Sequence, residues 1–216
     1  MPVENFSKGK AIVFGWEATK KYFWFFCGLL IIVILVQAIP NVLSNLYGEK
    51  LPLVSAAFSI ISFIASTIIA IGLIKISLKL YDNTDSPKLS VLFAVRGVFL
   101  KYLFASLLYG LAVSVGLLLL IVPGIIIWVR CQFFGYLIVD KKLGPIKALK
   151  KSFAVTRGNG WNLFLLGILL TGIFLFGLLA LLVGLFAAFP ITIMAEVFVY
   201  RFLVERSGPL EAVPAV

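Results

Sequence analysis

Two ionisable residues sit inside apolar runs of the sequence, and they are the first candidates for chemistry. Arg130 lies seven residues past Pro123 and Glu196 six past Pro190, each within a stretch that otherwise reads as lipid-soluble. A charge inside a bilayer costs about 2.5–3.5 kcal/mol on insertion scales, so it persists only with a partner or a task. If the two stretches begin at one depth, a rise of about 1.5 Å per residue puts both side chains within about 2 Å along the membrane normal. The spacing therefore predicts an intramembrane Arg130–Glu196 pair. Gln132 is placed to add a hydrogen bond. Arg201 is a second candidate partner for Glu196, although its position near a span end favours snorkelling to the surface. Such a pair either fixes helix register or forms part of a solute or proton pathway, and the sequence leaves both readings open.

Other chemistry is scarce. The 216 residues include no histidine, which removes imidazole bases, histidine-ligated metals and histidine-dependent triads. Two cysteines, Cys27 and Cys131, are too few for a structural zinc site or a disulfide framework and read as small hydrophobes. The nine acidic residues are scattered, with no paired carboxylates, metal-ligand cluster or phosphate-binding loop. The expectation is a chain with no enzymatic activity, no metal and no cofactor.

The elements that must position Arg130 and Glu196 follow from composition. Hydrophobic residues make up 62% of the chain, against roughly 45–50% in a soluble domain. Charged residues make up 13%, against about 25%. So little charge cannot cover a globular surface, and most of the chain must face lipid. A membrane helix needs about 20 mostly apolar residues. Six stretches qualify or come close: Tyr22 to Ile39, Leu53 to Ile74, Tyr102 to Val122, Gly124 to Val139, Trp161 to Phe189 and Ile191 to Leu203. Pro40, Pro123 and Pro190 are read as the ends of three of these spans, because proline stops a helix. The expected fold is an all-α polytopic bundle of six transmembrane helices in three hairpins, with amphipathic interfacial helices and a pseudo-threefold internal repeat. Its hairpin units cover about 6–80, 86–140 and 144–206 of a single domain over 1–206, followed by a disordered tail, 207–216. Tyr22 to Leu35 could serve as a signal-peptide core, but a retained first span is expected.

Cation placement sets the orientation, because lysine and arginine near span ends stay in the cytoplasm. Sixteen of the nineteen lysines and arginines fall before the first span, between the second and third, between the fourth and fifth, or after the sixth. Lys50 alone falls on the other side, and Arg130 and Arg201 lie within spans. Both termini are thus expected in the cytoplasm of a prokaryotic plasma membrane. The net charge of +10 is then a membrane-surface feature that attracts the anionic leaflet, and nucleic acid is not the expected partner.

Pro145 to Arg157 reads as a basic helix at the interface. Ile146, Leu149 and Phe153 recur on one face, with Lys147, Lys150 and Lys151 on the other and Arg157 at its end. It either recruits a membrane or cytoplasmic protein or a lipid, or simply joins two spans. The repeat is clearest in Phe93-Ala94-Val95-Arg96-Gly97 against Phe153-Ala154-Val155-Thr156-Arg157-Gly158. Ser106, Gly110 and Ser114, with Ala112 and Gly116, read as a packing face. Ser55, Ser59, Ser62 and Ser66 form a stripe that packs helices or lines a polar path. Gly167, Gly172 and Gly177 lack a same-face spacing and suggest only local packing.

Val122-Pro123-Gly124-Ile125-Ile126, the run Tyr136 to Phe153, and Thr156-Arg157-Gly158 form a pattern with a likeness of its own. It resembles the membrane domain attached to some prokaryotic glycerophosphoryl diester phosphodiesterases, and that domain's stand-alone six-span relatives. The specific part covers about 40 residues and includes Arg130, the Val139-Asp140 exit and the helix led by Gly144-Pro145. The resemblance implies location and architecture. In the fused proteins the catalytic barrel is a separate soluble domain, and only ten residues follow Arg206 here, so the phosphodiesterase activity is not expected to carry over. The function expected is a scaffold, partner-binding or lipid-responsive accessory of the membrane. The alternative is a small transporter or channel using Arg130, Glu196, Gln132 and the serine stripe.

Overall fold

A computed structural model describes residues 6–47, 52–83, 89–180 and 184–207. The described residues form helices and no strand. In chain order they are α1 (Lys8–Lys21), α2 (Phe23–Tyr47), α3 (Pro52–Tyr81), a 3₁₀ turn (Leu89–Phe93), α4 (Phe99–Leu119), α5 (Ile121–Cys131), α6 (Phe134–Lys141), α7 (Pro145–Val155), α8 (Gly160–Leu179) and α9 (Leu185–Arg206). Six stretches are long and apolar enough to cross a membrane: Phe23–Ser44, Ser55–Tyr81, Phe99–Leu119, Ile121–Lys141, Gly160–Leu179 and Leu185–Arg206. The chain is a multi-pass membrane protein with an all-α bundle fold. The expected tail, apart from Ser207, lies outside the described residues.

Consecutive spans pair as hairpins, α2 with α3, α4 with α5 and α8 with α9. Glycine, not proline, makes two of these turns possible. A Cβ on Gly116 would stand 2.9 Å from the Gly124 Cα, and one on Gly177 would stand 2.9 Å from the Gly184 carbonyl oxygen. Pro40 lies inside α2 and Pro190 inside α9, while Pro123 falls in the first turn of α5. The expectation that these prolines close spans is therefore corrected. The first N–H groups of a helix have no acceptor in any case, so proline in the first turn of α5 removes no bond.

Three short segments pack back onto earlier or later spans. α1 lies along α9, the 3₁₀ turn along α3 and α7 along α6. Each contact is close. A Cβ on Gly15 would meet the Ile191 carbonyl oxygen at 2.6 Å, and one on Gly72 would meet Leu92 backbone at 2.6 Å. Aromatic rings fill the seams, with Phe14 5.2 Å from Tyr81 and 5.4 Å from Phe198, and Phe6 6.3 Å from Phe202.

The core sits where α3, α6 and α9 converge. Ile71, Leu137, Ile138, Met194, Val197, Val199, Tyr200 and Leu203 are almost wholly buried there. The face of α7 turned inward is Ala148, Ser152 and Val155. Of the apolar residues read on one face of this helix, Leu149 packs against the core, while Ile146 and Phe153 are exposed, as are Lys147 and Lys150. Small side chains at positions 148 and 152 let α7 approach α6 closely, which Ile146 and Phe153 would prevent. Among the candidate packing stripes, Gly110 meets no neighbouring atom within 4 Å. Ser59 and Ser66 donate to carbonyls four residues back in their own helix, those of Ser55 and Ser62, and Ser59 is exposed while Ser62 is half-buried.

Candidate functional site

Arg130 and Glu196 are not paired. Arg130 lies in the last turn of α5, just before the helix breaks at Gln132 and Phe133 and α6 begins. That break leaves the Arg130 carbonyl and the Phe133 N–H without intrahelical partners, and buried backbone groups need replacements. α7 supplies them. Ser152 Oγ and Thr156 Oγ1 donate to the Arg130 carbonyl at 2.9 and 3.1 Å, and the Phe133 N–H donates to Ser152 Oγ at 3.2 Å. The Arg130 guanidinium donates through Nη2 to the Phe153 carbonyl at 2.8 Å and lies 3.5 Å above the Phe153 ring. The cation is thus held at the seam of α5 and α7, facing away from α9.

Glu196 has a different setting. Its Oε2 accepts from the Tyr136 hydroxyl at 3.4 Å. Glu196 and Gln132 together line two cavities, one of about 240 Å³ toward α8 with Thr171 and Thr192, and one of about 230 Å³ toward α3 and α4 with Tyr102. Gln132 shares both cavities with Glu196, but among the described residues neither the hydrogen bond expected of Gln132 nor the pairing of Glu196 with Arg130 is formed. The physical reason is angular. Residues two apart on a helix face nearly opposite sides, so when Gln132 turns toward α9, Arg130 cannot.

Arg201 is not a partner of Glu196 either. It reaches Asp140 Oδ2 through Nη1 at 3.1 Å and Asp82 Oδ2 through Nη2. Asp140 also accepts from the Tyr200 hydroxyl at 2.8 Å and lies 3.3 Å from Lys141 Nζ. The Tyr136 and Tyr200 rings stack at 5.0 Å. This knot joins the ends of α3, α6 and α9. The guanidinium stays inside the protein rather than snorkelling, because two carboxylates meet it there.

The knot was the main functional feature missed from sequence, and a spacing carries its signal. Gly72, Arg130 and Ile191 are the places where the 3₁₀ turn, α7 and α1 dock. Ten residues after each stand Asp82, Asp140 and Arg201. The four-residue step from Ser152 to Thr156 was a second, overlooked signal. The equivalent step from Gly15 to Thr19 also ends in a buried threonine whose hydroxyl donates four residues back, at 2.7 Å, and the one Thr156 hydroxyl proton is shared between the Ser152 carbonyl at 2.9 Å and the Arg130 carbonyl at 3.1 Å.

No protein-family model matches the chain, and no curated protein or solved structure matches it either. The functional reading therefore rests on the geometry. On α7, Lys147 and Lys150 are exposed and Lys151 is half-buried, and Arg157 is exposed in the turn that follows. Further cations serve as caps at the same end. Lys101 Nζ donates to the Lys142 carbonyl at 2.9 Å, and Lys75 Nζ donates to the Ala94 carbonyl. Among the described residues no group of three or more histidine, cysteine, aspartate or glutamate side chains could hold a metal ion.

Proposed function

We propose that this protein is a non-enzymatic accessory of a prokaryotic plasma membrane that works from the outer surface of its basic end, as a scaffold or a lipid-responsive partner. The observation that carries this reading is the Arg201–Asp82–Asp140 knot with Tyr200. It ties the bundle axis together at the basic end, while Lys147, Lys150 and Arg157 are turned outward. Cations near a span end favour the cytoplasmic side, so this end and both termini are assigned to the cytoplasm. There each lysine adds about 1 kcal/mol of attraction to an anionic leaflet. The three docking positions, Gly72, Arg130 and Ile191, each ten residues ahead of a knot residue, support a pseudo-threefold repeat of three hairpins. The likeness to the phosphodiesterase-associated membrane domain is in keeping with that layout.

Purification in mild detergent, with mass spectrometry of the proteins and lipids retained, tests the proposal. Anionic lipid or a stoichiometric protein should be enriched, and neutralising Lys147, Lys150 and Lys151 together should reduce it severalfold. Retention that is neither selective nor sensitive to these lysines would refute the proposal. A transporter is the second reading, favoured by the two cavities that share Gln132 and Glu196. It requires solute or proton flux in proteoliposomes that Glu196→Gln abolishes.

A further inference from the structure

One further cavity belongs neither to Glu196 nor to the knot. It is a groove of about 370 Å³ between α5 and α8, walled by Val122, Ile126 and Val129 on one side and Trp161 and Phe164 on the other. Arg130 is its one charged lining residue. The groove runs along α5 for about 12 Å, taking about 1.5 Å for each residue step from Val122 to Arg130. Ile126, 46% exposed, and Trp161, 70% exposed, place it on the outside of the bundle, where the solvent is lipid.

The end of the groove is cationic and already shaped. Phe153 holds Arg130 by its carbonyl and by its ring, so the guanidinium is fixed before any ligand arrives. Arg157 directly follows Thr156, whose hydroxyl reaches the Arg130 carbonyl at 3.1 Å, so a second cation stands at the same end of the groove. Among the described residues neither arginine has an acidic partner. Two cations without a carboxylate at the end of an apolar trough make the electrostatic complement of a phosphate attached to an alkyl chain. A guanidinium fork matches phosphate oxygens in a way that an ammonium does not. Trp161 at the mouth suits the headgroup level of a bilayer.

We propose that Arg130 and Arg157 hold the headgroup phosphate of an anionic phospholipid whose acyl chain lies in the α5–α8 groove. This deepens the reading of the basic end as lipid-responsive and rests on it. The occupant is a phospholipid rather than free phosphate, because almost the whole wall is hydrocarbon.

Native mass spectrometry of the full chain in mild detergent, with equal dioleoyl phosphatidylglycerol and dioleoyl phosphatidylcholine, tests the site. One phosphatidylglycerol should be retained over phosphatidylcholine by about tenfold. Arg130→Gln should remove most of that preference, and Ile126→Trp, which fills the groove without touching a charge, should cut retention about as much. Lys150→Gln should leave it within about twofold, and millimolar inorganic phosphate should not displace the lipid. Arg130→Gln also breaks the bond to Phe153, so Ile126→Trp and Arg157→Gln carry the test if that variant fails to fold. Retention unchanged in Ile126→Trp and Arg157→Gln overturns the site, as does displacement by phosphate alone. If neutralising Lys147, Lys150 and Lys151 releases the lipid while the groove variants do not, the groove falls and the wider reading stands. If no variant or wild type prefers the anionic lipid, the lipid reading of the basic end falls with the groove.

Discussion

At the basic end, α6 and the second half of α9 are packed on most sides, and hydrogen bonds and ion pairs tie them to α3 and α7. At the opposite end, α4 and α5 meet at Leu120, where every residue from Leu117 to Val122 faces outward. The most apolar stretches of Ile121–Lys141 and Leu185–Arg206 are 50% and 56% buried, whereas that of Phe99–Leu119 is 11% buried. The contrast shows two ways of holding membrane helices. Lipid tails are as apolar as leucine, so burying leucine against leucine gains little, and close packing and polar contacts must supply the specificity. This chain concentrates its polar contacts at one end. At the other it relies on glycine contacts such as Gly177 on Gly184.

Breaking the knot is the largest expected effect. Arg201→Ala removes the cation that Asp82 and Asp140 share and leaves Asp140 with Lys141 alone. Removing one partner of a buried ion pair costs about 3–5 kcal/mol. Asp82 keeps some solvent contact, with 35% of its side chain exposed, so a loss near the bottom of that range is expected in denaturant titration of the detergent-solubilised protein. A change under about 0.5 kcal/mol would mean that the ends of α3, α6 and α9 are held by something else.

Glycine substitutions sharpen the comparison at a smaller scale. Gly72→Leu forces a side chain into Leu92 backbone, and overpacking of this kind costs about 1–3 kcal/mol. Gly110→Leu, on a face that meets nothing, should stay within about 0.5 kcal/mol of wild type. Equal midpoints for both variants in thermal unfolding would contradict the docking of the 3₁₀ turn on α3.

The spans were legible in the sequence because an apolar run of about 20 residues has few other uses. The side-chain pairings were not. Equal depth along the membrane normal does not make the helices of Arg130 and Glu196 neighbours, and depth says nothing of rotation about each helix axis. Gln132 and Arg130 cannot both face Glu196, and the break after Cys131 gave Arg130 to α7. The prolines misled for a related reason. Pro123 sits in the first turn of α5, where its missing N–H breaks no bond, while α2 and α9 continue past Pro40 and Pro190 without that bond. Asp82 and Asp140 looked scattered because their meeting with Arg201 depends on three helices converging, a contact that no local window contains.

The assignment of the basic end to the cytoplasmic leaflet underlies both proposals, and one labelling experiment addresses it. In a background with Cys27 and Cys131 replaced by alanine, Lys150→Cys introduces a single thiol on the exposed face of α7. A membrane-impermeant maleimide should label it in inverted vesicles and leave it untouched in intact cells. Labelling from outside intact cells would place α7 in the wrong leaflet and contradict the account.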